Sequence, residues 1–267
     1  MNLQEEIEKI KEEGYNEANA EARLCQDIIL KAISESSLRQ NVTIKGGVVM
    51  RNLSGSARRA TQDIDLDFIK YSISDESIMA FIGKLNQVEG VELSLSSPIK
   101  ELNQQDYKGK RIFVNIIDRF GNQIDGKIDI GIHKDLDIDQ EEYCFDICFT
   151  EDGASLLMNS KEQIITEKVK SLLRFMARST RYKDVFDIYF LKDTADTEKL
   201  KRCFKQYIYD DDSLSVNNIS DIVSRLEMVF HNKAYIREIN KSKKNWIGIE
   251  TNEVLEGDLL YFKALQS

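Results

Sequence analysis

Proline, histidine and cysteine are scarce in this sequence, and their scarcity removes several classes of protein. Pro98 is the single proline among 267 residues, and no glycine- and serine-rich linker, repeat or low-complexity segment occurs, so we expect continuous structure. There are only two histidines, His133 and His231, and they are far apart in the chain, which argues against zinc chemistry and against a histidine-based triad. The four cysteines form no metal-binding or disulfide pattern and are interpreted as core residues: Cys25, Cys144, Cys148 and Cys203.

Long apolar runs are lacking as well. No segment approaches the roughly 18 to 20 apolar residues that cross a membrane, and the acidic segment 1–13 is typical of neither a secretory signal nor a basic transit peptide. We therefore expect a cytoplasmic protein with no membrane partner. The net charge is −9, and residues 1–150 account for it with 18 basic and 27 acidic side chains. Segment 161–205 is locally basic, with 12 basic and 7 acidic side chains, which is compatible with an RNA or nucleotide partner without requiring one.

Hydrophobic periodicity divides the chain into two parts. Residues 1–150 combine N-terminal helices with short strands and predict an α+β domain, whereas residues 151–267 are nearly all helical in pattern and predict a helical domain. The predicted strands lie at about 42–44, 63–69, 91–96, 111–117 and 124–132. The predicted helices lie at about 3–34, 75–88, 161–178, 181–192, 197–208 and 214–231.

Two predicted strands carry aspartates in a regular pattern. In 61–68 the residues alternate strictly, so that Asp63, Asp65 and Asp67 face one way and the intervening apolar residues face the other. In 127–132 a single aspartate, Asp129, lies opposite three isoleucines. A solvent-facing strand would tolerate these acids, but aspartate is depleted in strands, so three in one strand need a reason.

A bound divalent cation would supply that reason. Two carboxylates about 4 Å apart repel by up to about 4 kcal/mol at an effective dielectric constant of about 20, and a cation turns this repulsion into attraction. Carboxylate oxygens suit Mg²⁺. A calcium loop starting at Asp63 is excluded, because Phe68 stands where that loop needs glycine and Ser74 where it needs glutamate.

A pair of glycines precedes the acidic strand. Lys45, Gly46 and Gly47 end a short strand and lead into a predicted helix, where glycine lets the backbone approach a ligand and the helix N-terminus offers amide donors to phosphate. The pair alone is a weak signal, and a P-loop is excluded because the sequence lacks its motif. The order Gly-Gly, Asp-x-Asp and a later lone Asp is far more specific.

This ordered set resembles the nucleotidyltransferase superfamily, and more closely the AbiEii/AbiGii toxin family, which occurs in toxin–antitoxin and phage-abortive systems. Matching elements span about 42–191, and they include the segments 45–47, 58–59, 63–66, 127–130, 167–169 and 181–187. The resemblance implies a nucleotidyltransferase-like mixed sheet flanked by helices, followed by a helical domain. It also implies that Asp63, Asp65 and Asp129 bind two Mg²⁺ ions, and that the Gly46-Gly47 turn holds the triphosphate of an NTP.

The resemblance extends to the helical part. Lys168 falls within the apolar face of its helix rather than on the polar side, so its ammonium either snorkels, forms a structural pair or contacts a phosphate. Asp184 and Asp187 share a helix face with apolar residues, and they either form a buried ion pair or orient the lysine or the acceptor. Arg59 is a further candidate for neutralising phosphate charge. Val48 departs from the family, many members of which carry Ser or Thr at this position.

These features predict a Mg²⁺-dependent transfer of a nucleoside monophosphate from an NTP to an acceptor hydroxyl. The family implies RNA such as a tRNA 3′ end as the acceptor, or a protein, together with a separate antitoxin. Two other interpretations stay open. One is a protein of the same fold that binds nucleotide or RNA without transfer, which Val48 mildly favours. The other is a transferase that modifies a small molecule such as an antibiotic.

Overall fold

A computed structural model describes residues 1–102, 109–133 and 138–266. The chain divides into two compact units, Met1–Asn159 and Ser160–Ser267. None of the helices in the described residues is long and apolar enough to cross a membrane. Mixed sheet and flanking helices make this an α+β fold, as the sequence predicted.

The first unit, which we call the sheet unit, begins with two helices. They are α1 (Leu3–Glu12) and α2 (Glu17–Glu35). The sequence predicted a single helix over 3–34, but Gly14 adopts φ +97°, a conformation that breaks the helix, and Asn16 caps α2 by accepting a hydrogen bond from the Asn19 N–H.

The remaining elements of the sheet unit are β1 (Val42–Lys45), α3 (Gly46–Ser54), β2 (Asp63–Phe68), α4 (Asp75–Lys84), β3 (Val91–Leu95), β4 (Lys100–Leu102), β5 (Gly109–Asp118), β6 (Gln123–Ile132), β7 (Glu141–Ile147) and β8 (Thr150–Met158). The strands form one mixed sheet in the order β3-β5-β6-β2-β1-β8-β7, and β4 pairs with β5. The pairs β2–β6 and β1–β8 are parallel, while the other pairs are antiparallel.

The β7–β8 hairpin extends the sheet unit beyond the boundary that the sequence placed after residue 150. Its strand β8 pairs with β1, an inner strand of the sheet, so the segment up to Asn159 belongs to the first unit. In β8 the side chains of Ala154, Leu156 and Met158 are buried in alternation, which is the pattern of a half-buried strand. The sequence pattern did not predict this hairpin.

The second unit, the helical unit, contains α5 (Lys161–Phe175), α6 (Lys183–Leu191), α7 (Thr197–Phe204), α8 (Ile219–Phe230), α9 (Lys233–Lys241) and α10 (Thr251–Ala264). Ser160 and Gln163 start α5 with a capping box, in which the serine hydroxyl accepts from the Gln163 N–H and the Gln163 side chain accepts from the Ser160 N–H. Helices α9 and α10 lie in the part that the sequence predicted to be helical, although it gave them no bounds of their own.

Candidate active site

Strand β2 presents its aspartates on one face of the sheet. Ile64, Leu66 and Phe68 are at most 1% exposed and pack into the core on the opposite face. Asp63, Asp65 and Asp67 therefore project from a strand whose other side is fixed by hydrophobic packing. We call the sheet face that carries these aspartates the acidic face.

The neighbouring strands add a row of charged residues to the acidic face. In the register of the sheet, Arg111 of β5 lies opposite Asp129 of β6, Asp129 lies beside Asp65 of β2, and Asp65 lies opposite Lys45 of β1. Paired residues on adjacent strands project to the same side, with backbones about 5 Å apart. The row thus places two carboxylates between two basic side chains, across four adjacent strands.

Each of three carboxylates on the acidic face meets a basic side chain. Lys127 Nζ lies 2.7 Å from Asp63 Oδ2, and Lys45 Nζ lies 2.7 Å from Asp67 Oδ1. Basic residues thus offset the repulsion that the clustered aspartates would otherwise exert on one another.

The third pair, between Arg111 and Asp129, is joined by two hydrogen bonds. Arg111 Nε and Nη2 donate to Asp129 Oδ1 and Oδ2, both at 2.7 Å, which is the bidentate fork typical of arginine and carboxylate. The hydrogen bond to Asp129 raises the pKa of Arg111 above its usual value, although partial burial opposes the shift. Asp129 is 12% exposed and points towards this guanidinium rather than into hydrophobic packing.

The two glycines bring the start of α3 against β2. Gly46 adopts φ +68°, and a Cβ built on it would collide with the carboxylate of Asp65. A Cβ on Gly47 would overlap the side chain of Thr61. Only residues without a side chain allow this approach, so the N-terminus of α3 lies directly beside Asp65. The positive end of a helix next to the acidic face is a suitable place for a phosphate.

Two residues near this turn are buried. Val48, in the first turn of α3, is 0% exposed and packs in the core. It therefore contributes hydrophobic packing where a Ser or Thr would offer a hydroxyl. Arg59 ends the 3₁₀ turn Ala57–Arg59 and is 4% exposed. The structure therefore positions Arg59 within the sheet unit as a largely buried cation, and its predicted contact with phosphate stays a prediction.

The helical unit brings Lys168, Asp184 and Asp187 together, as the sequence suggested. Lys168 Nζ lies 2.7 Å from Asp187 Oδ2 and 3.0 Å from Asp184 Oδ1, and Asp187 is 0% exposed. Arg181 Nε lies 3.5 Å from the second oxygen of Asp184. The indole of Trp246 donates to Asp187 Oδ1 at 2.9 Å. The buried ion pair that the sequence left open is thus present, and we call these residues the lysine cluster.

A comparison with protein families matches residues 28–246 to the model described as nucleotidyl transferase AbiEii toxin, type IV toxin–antitoxin system. The chain belongs to the AbiEii family. As an AbiEii protein it is a nucleotidyltransferase toxin, and family membership implies an NTP substrate and an antitoxin partner. No curated protein matches the sequence in a direct comparison. The match covers both the acidic face and the lysine cluster.

The donor chemistry of the AbiEii acidic face fits a hard cation such as Mg²⁺. Asp63, Asp65 and Asp129 supply carboxylate oxygens from two adjacent strands on one face. Among the residues that the structure describes, no group of three or more His, Cys, Asp or Glu side chains is arranged as a metal site. Instead, oxygens of Asp63 and Asp129 accept from Lys127 and Arg111, so a cation there would have to replace at least part of these pairs.

Sequence reasoning missed three residues of these sites. Arg111 was not recognised, although it alternates with buried Ile112 on the strand next to β6, which is the signal for a side chain on the acidic face. Lys127 was noted only as part of a motif and was given no partner. Trp246 lies 59 positions from Asp187 in the sequence, and no local pattern connects the two.

Proposed function

We propose that this AbiEii protein transfers a nucleoside monophosphate from an NTP to a hydroxyl of an RNA acceptor, such as a tRNA 3′ end, in a Mg²⁺-dependent reaction. The observation that supports this most is the register that sets Asp65 beside Asp129, with Asp63 on the same face and the N-terminus of α3 against Asp65. Carboxylates that can hold cations thus stand next to backbone amides that can hold phosphate.

In the proposed reaction, the acceptor oxygen forms a bond to the α-phosphorus of the NTP. The bond from that phosphorus to the bridging oxygen of the β-phosphate breaks, and pyrophosphate leaves with the electron pair. Two Mg²⁺ ions, when bound, would stabilise the attacking and leaving oxygens. Asp63 and Asp65 would hold both ions, and Asp129 would hold the one nearer the acceptor.

The remaining roles belong to the chain itself. The amides of the Gly46-Gly47 turn would bind the β- and γ-phosphates at the positive end of α3. Asp129 would take the proton from the attacking hydroxyl once the bound cation has displaced part of its fork with Arg111. The roles of Lys168 and Arg59 in offsetting phosphate charge rest on the family resemblance. A cytoplasmic location and a part in phage-abortive defence belong to the same proposal.

The test is incubation of the protein with each α-labelled NTP, Mg²⁺ and total RNA. Asp65→Ala should abolish label transfer to RNA, and EDTA should do the same with the unchanged protein. Asp125→Ala is the matched control, because Asp125 lies on β6 on the same face as Asp129 and pairs with Asn115 instead. It should transfer normally.

The other outcomes distinguish the alternative functions. Binding of NTP without any labelled product would identify a protein that binds but does not transfer. Label in a small molecule but not in RNA would identify a small-molecule transferase. Either result would contradict the proposed RNA acceptor.

A further inference from the structure

The segment from the last residues of α5 to the first residue of α6 is strongly basic. Its ten residues, 174–183, include four basic side chains and no acidic one, in a chain whose net charge is −9. The four are Arg174, Arg178, Arg181 and Lys183. We call this segment the basic turn.

The basic turn carries a solvent-exposed aromatic side chain. Phe175 is 46% exposed, and Arg178, three residues further on, is exposed as well. The backbone around them is ordered by hydrogen bonds: the Met176 N–H donates to the Leu172 carbonyl and the Ser179 N–H donates to the Met176 carbonyl. Met176 has φ +51°, so the chain turns sharply directly after the phenylalanine. The exposed ring is therefore carried by a defined turn.

Carboxylates in the helical unit contact some of the basic side chains of the basic turn. Asp211 is shared between Lys170 at 2.7 Å and Arg174 at 3.3 Å. Asp184 is likewise shared between Lys168 and Arg181, and the Arg181 side chain remains 65% exposed. Arg178 and Arg181 are both exposed, so this surface presents two arginines to solvent.

We infer that the basic turn binds the single-stranded part of an RNA acceptor, with a base stacked on Phe175 and phosphates contacted by Arg178 and Arg181. An exposed aromatic ring flanked by arginines is the combination that binds unpaired nucleotides without strict sequence preference. An acidic protein would form ion pairs with the arginines, but ion pairing makes no use of the exposed ring of Phe175. The inference rests on the proposed function, because it locates the acceptor of that reaction.

The surface is also continuous with the lysine cluster. Arg181 and Lys168 contact different oxygens of the same carboxylate, that of Asp184. Only the side chain of Asp184 therefore separates an RNA phosphate bound by Arg181 from Lys168, which the family resemblance connects with phosphate. This places acceptor binding and the lysine cluster on one part of the helical unit.

Binding to RNA can be measured apart from transfer by using the full chain with Asp65→Ala as background. The probe is a fluorescein-labelled, unstructured 12-nucleotide RNA, followed by anisotropy at several salt concentrations. Phe175→Ala should weaken binding about tenfold through lost stacking. Arg178→Ala should lower the slope of log affinity against log salt by about 0.7, the value for one phosphate contact on a single strand. Phe175→Tyr should retain the wild-type affinity.

Matched controls exclude general effects of removing surface rings and charges. Phe120 is 59% exposed and, like Phe175, has an arginine beside it, with Arg119 4.9 Å from its ring centre. Arg202 is an exposed arginine of α7 outside the basic turn. Phe120→Ala and Arg202→Ala should bind the RNA like the background protein. Thermal melting of every variant shows whether it is folded.

The inference is overturned if Phe175→Ala and Arg178→Ala, while folded, keep the affinity and salt slope of the controls. It is also overturned if the background protein does not bind the RNA at all. Failure of the proposed function looks different: the wild-type protein then labels no RNA with any NTP, whatever the binding data show. If a protein carrying Phe175→Ala and Arg178→Ala transfers label to RNA normally, the proposed function stands, but the basic turn is not the RNA-binding surface.

Discussion

Removing the ammonium of Lys168 should destabilise the helical unit strongly. In Lys168→Met the buried carboxylates of Asp184 and Asp187 lose a cation at 3.0 and 2.7 Å, while a side chain of similar length still fills the space. Breaking a buried ion pair by removing one partner costs about 3 to 5 kcal/mol. Asp187 is the more affected of the two, because it is 0% exposed, whereas Asp184 still has Arg181 at 3.5 Å.

Urea denaturation followed by tryptophan fluorescence is a suitable assay. Trp246 is the one tryptophan of the chain, and its indole donates to Asp187, so the signal reports on the lysine cluster itself. We expect the free energy of unfolding to fall by about 3 to 5 kcal/mol in Lys168→Met. Adding Asp187→Asn should restore much of this loss, because the amide oxygen still accepts from the indole and the charge of the fully buried carboxylate is removed, while Asp184 keeps Arg181 as a partner.

The double variant separates stability from catalysis. If Lys168 contacts phosphate, Lys168→Met with Asp187→Asn is folded yet transfers no label, whereas Asp187→Asn alone retains part of the activity. The reasoning about the cluster is refuted if Lys168→Met loses less than about 1 kcal/mol, or if Asp187→Asn fails to compensate. Full activity of the stable double variant would instead reject a role for Lys168 in the reaction.

Three further predictions concern the sheet unit. Gly46→Ala should lower stability by at least about 1 kcal/mol and abolish NTP binding in a filter assay, because its φ is +68° and its Cβ meets Asp65, whereas Gly83→Ala in α4, with open space around it, should bind normally. Arg111→Gln should bind Mn²⁺ several-fold more tightly by electron paramagnetic resonance, since Asp129 is released from its fork, and unchanged affinity would show that the fork does not compete with a cation. Burial would raise the pKa of Asp118, but hydrogen bonds from the Asn122 side chain and three backbone N–H groups lower it to about 2. Asp118 therefore contributes about 2 kcal/mol to the free energy of unfolding. This contribution is present above pH ~4 and is lost as the pH falls towards 2. Asp118→Asn should remove this part of the acid sensitivity in melts from pH 2 to 7, and an unchanged profile would contradict the assignment.

Much of the acidic face was predictable from local pattern. Strict alternation in 63–68 and 127–132 gave both the strands and the direction of their aspartates, because a strand with one buried face has no other register available. The Gly-Gly turn was equally local, since only glycine tolerates φ +68° beside another side chain. The less regular β7–β8 hairpin escaped prediction, as only alternate residues at one end of each strand are buried.

The sequence alone indicated the candidate site residues: Asp63, Asp65 and Asp129 on the strands, the pair Gly46-Gly47, and Lys168, Asp184 and Asp187 in the helical unit. The charged residues among them stand out as polar side chains in otherwise apolar patterns. Tertiary structure alone decided their partners. Pairing of β5 with β6 put Arg111 on Asp129, and packing of distant helical segments put Trp246 on Asp187. Charge compensation of this kind depends on side chains that meet only when non-adjacent segments fold together, so no local periodicity encodes it.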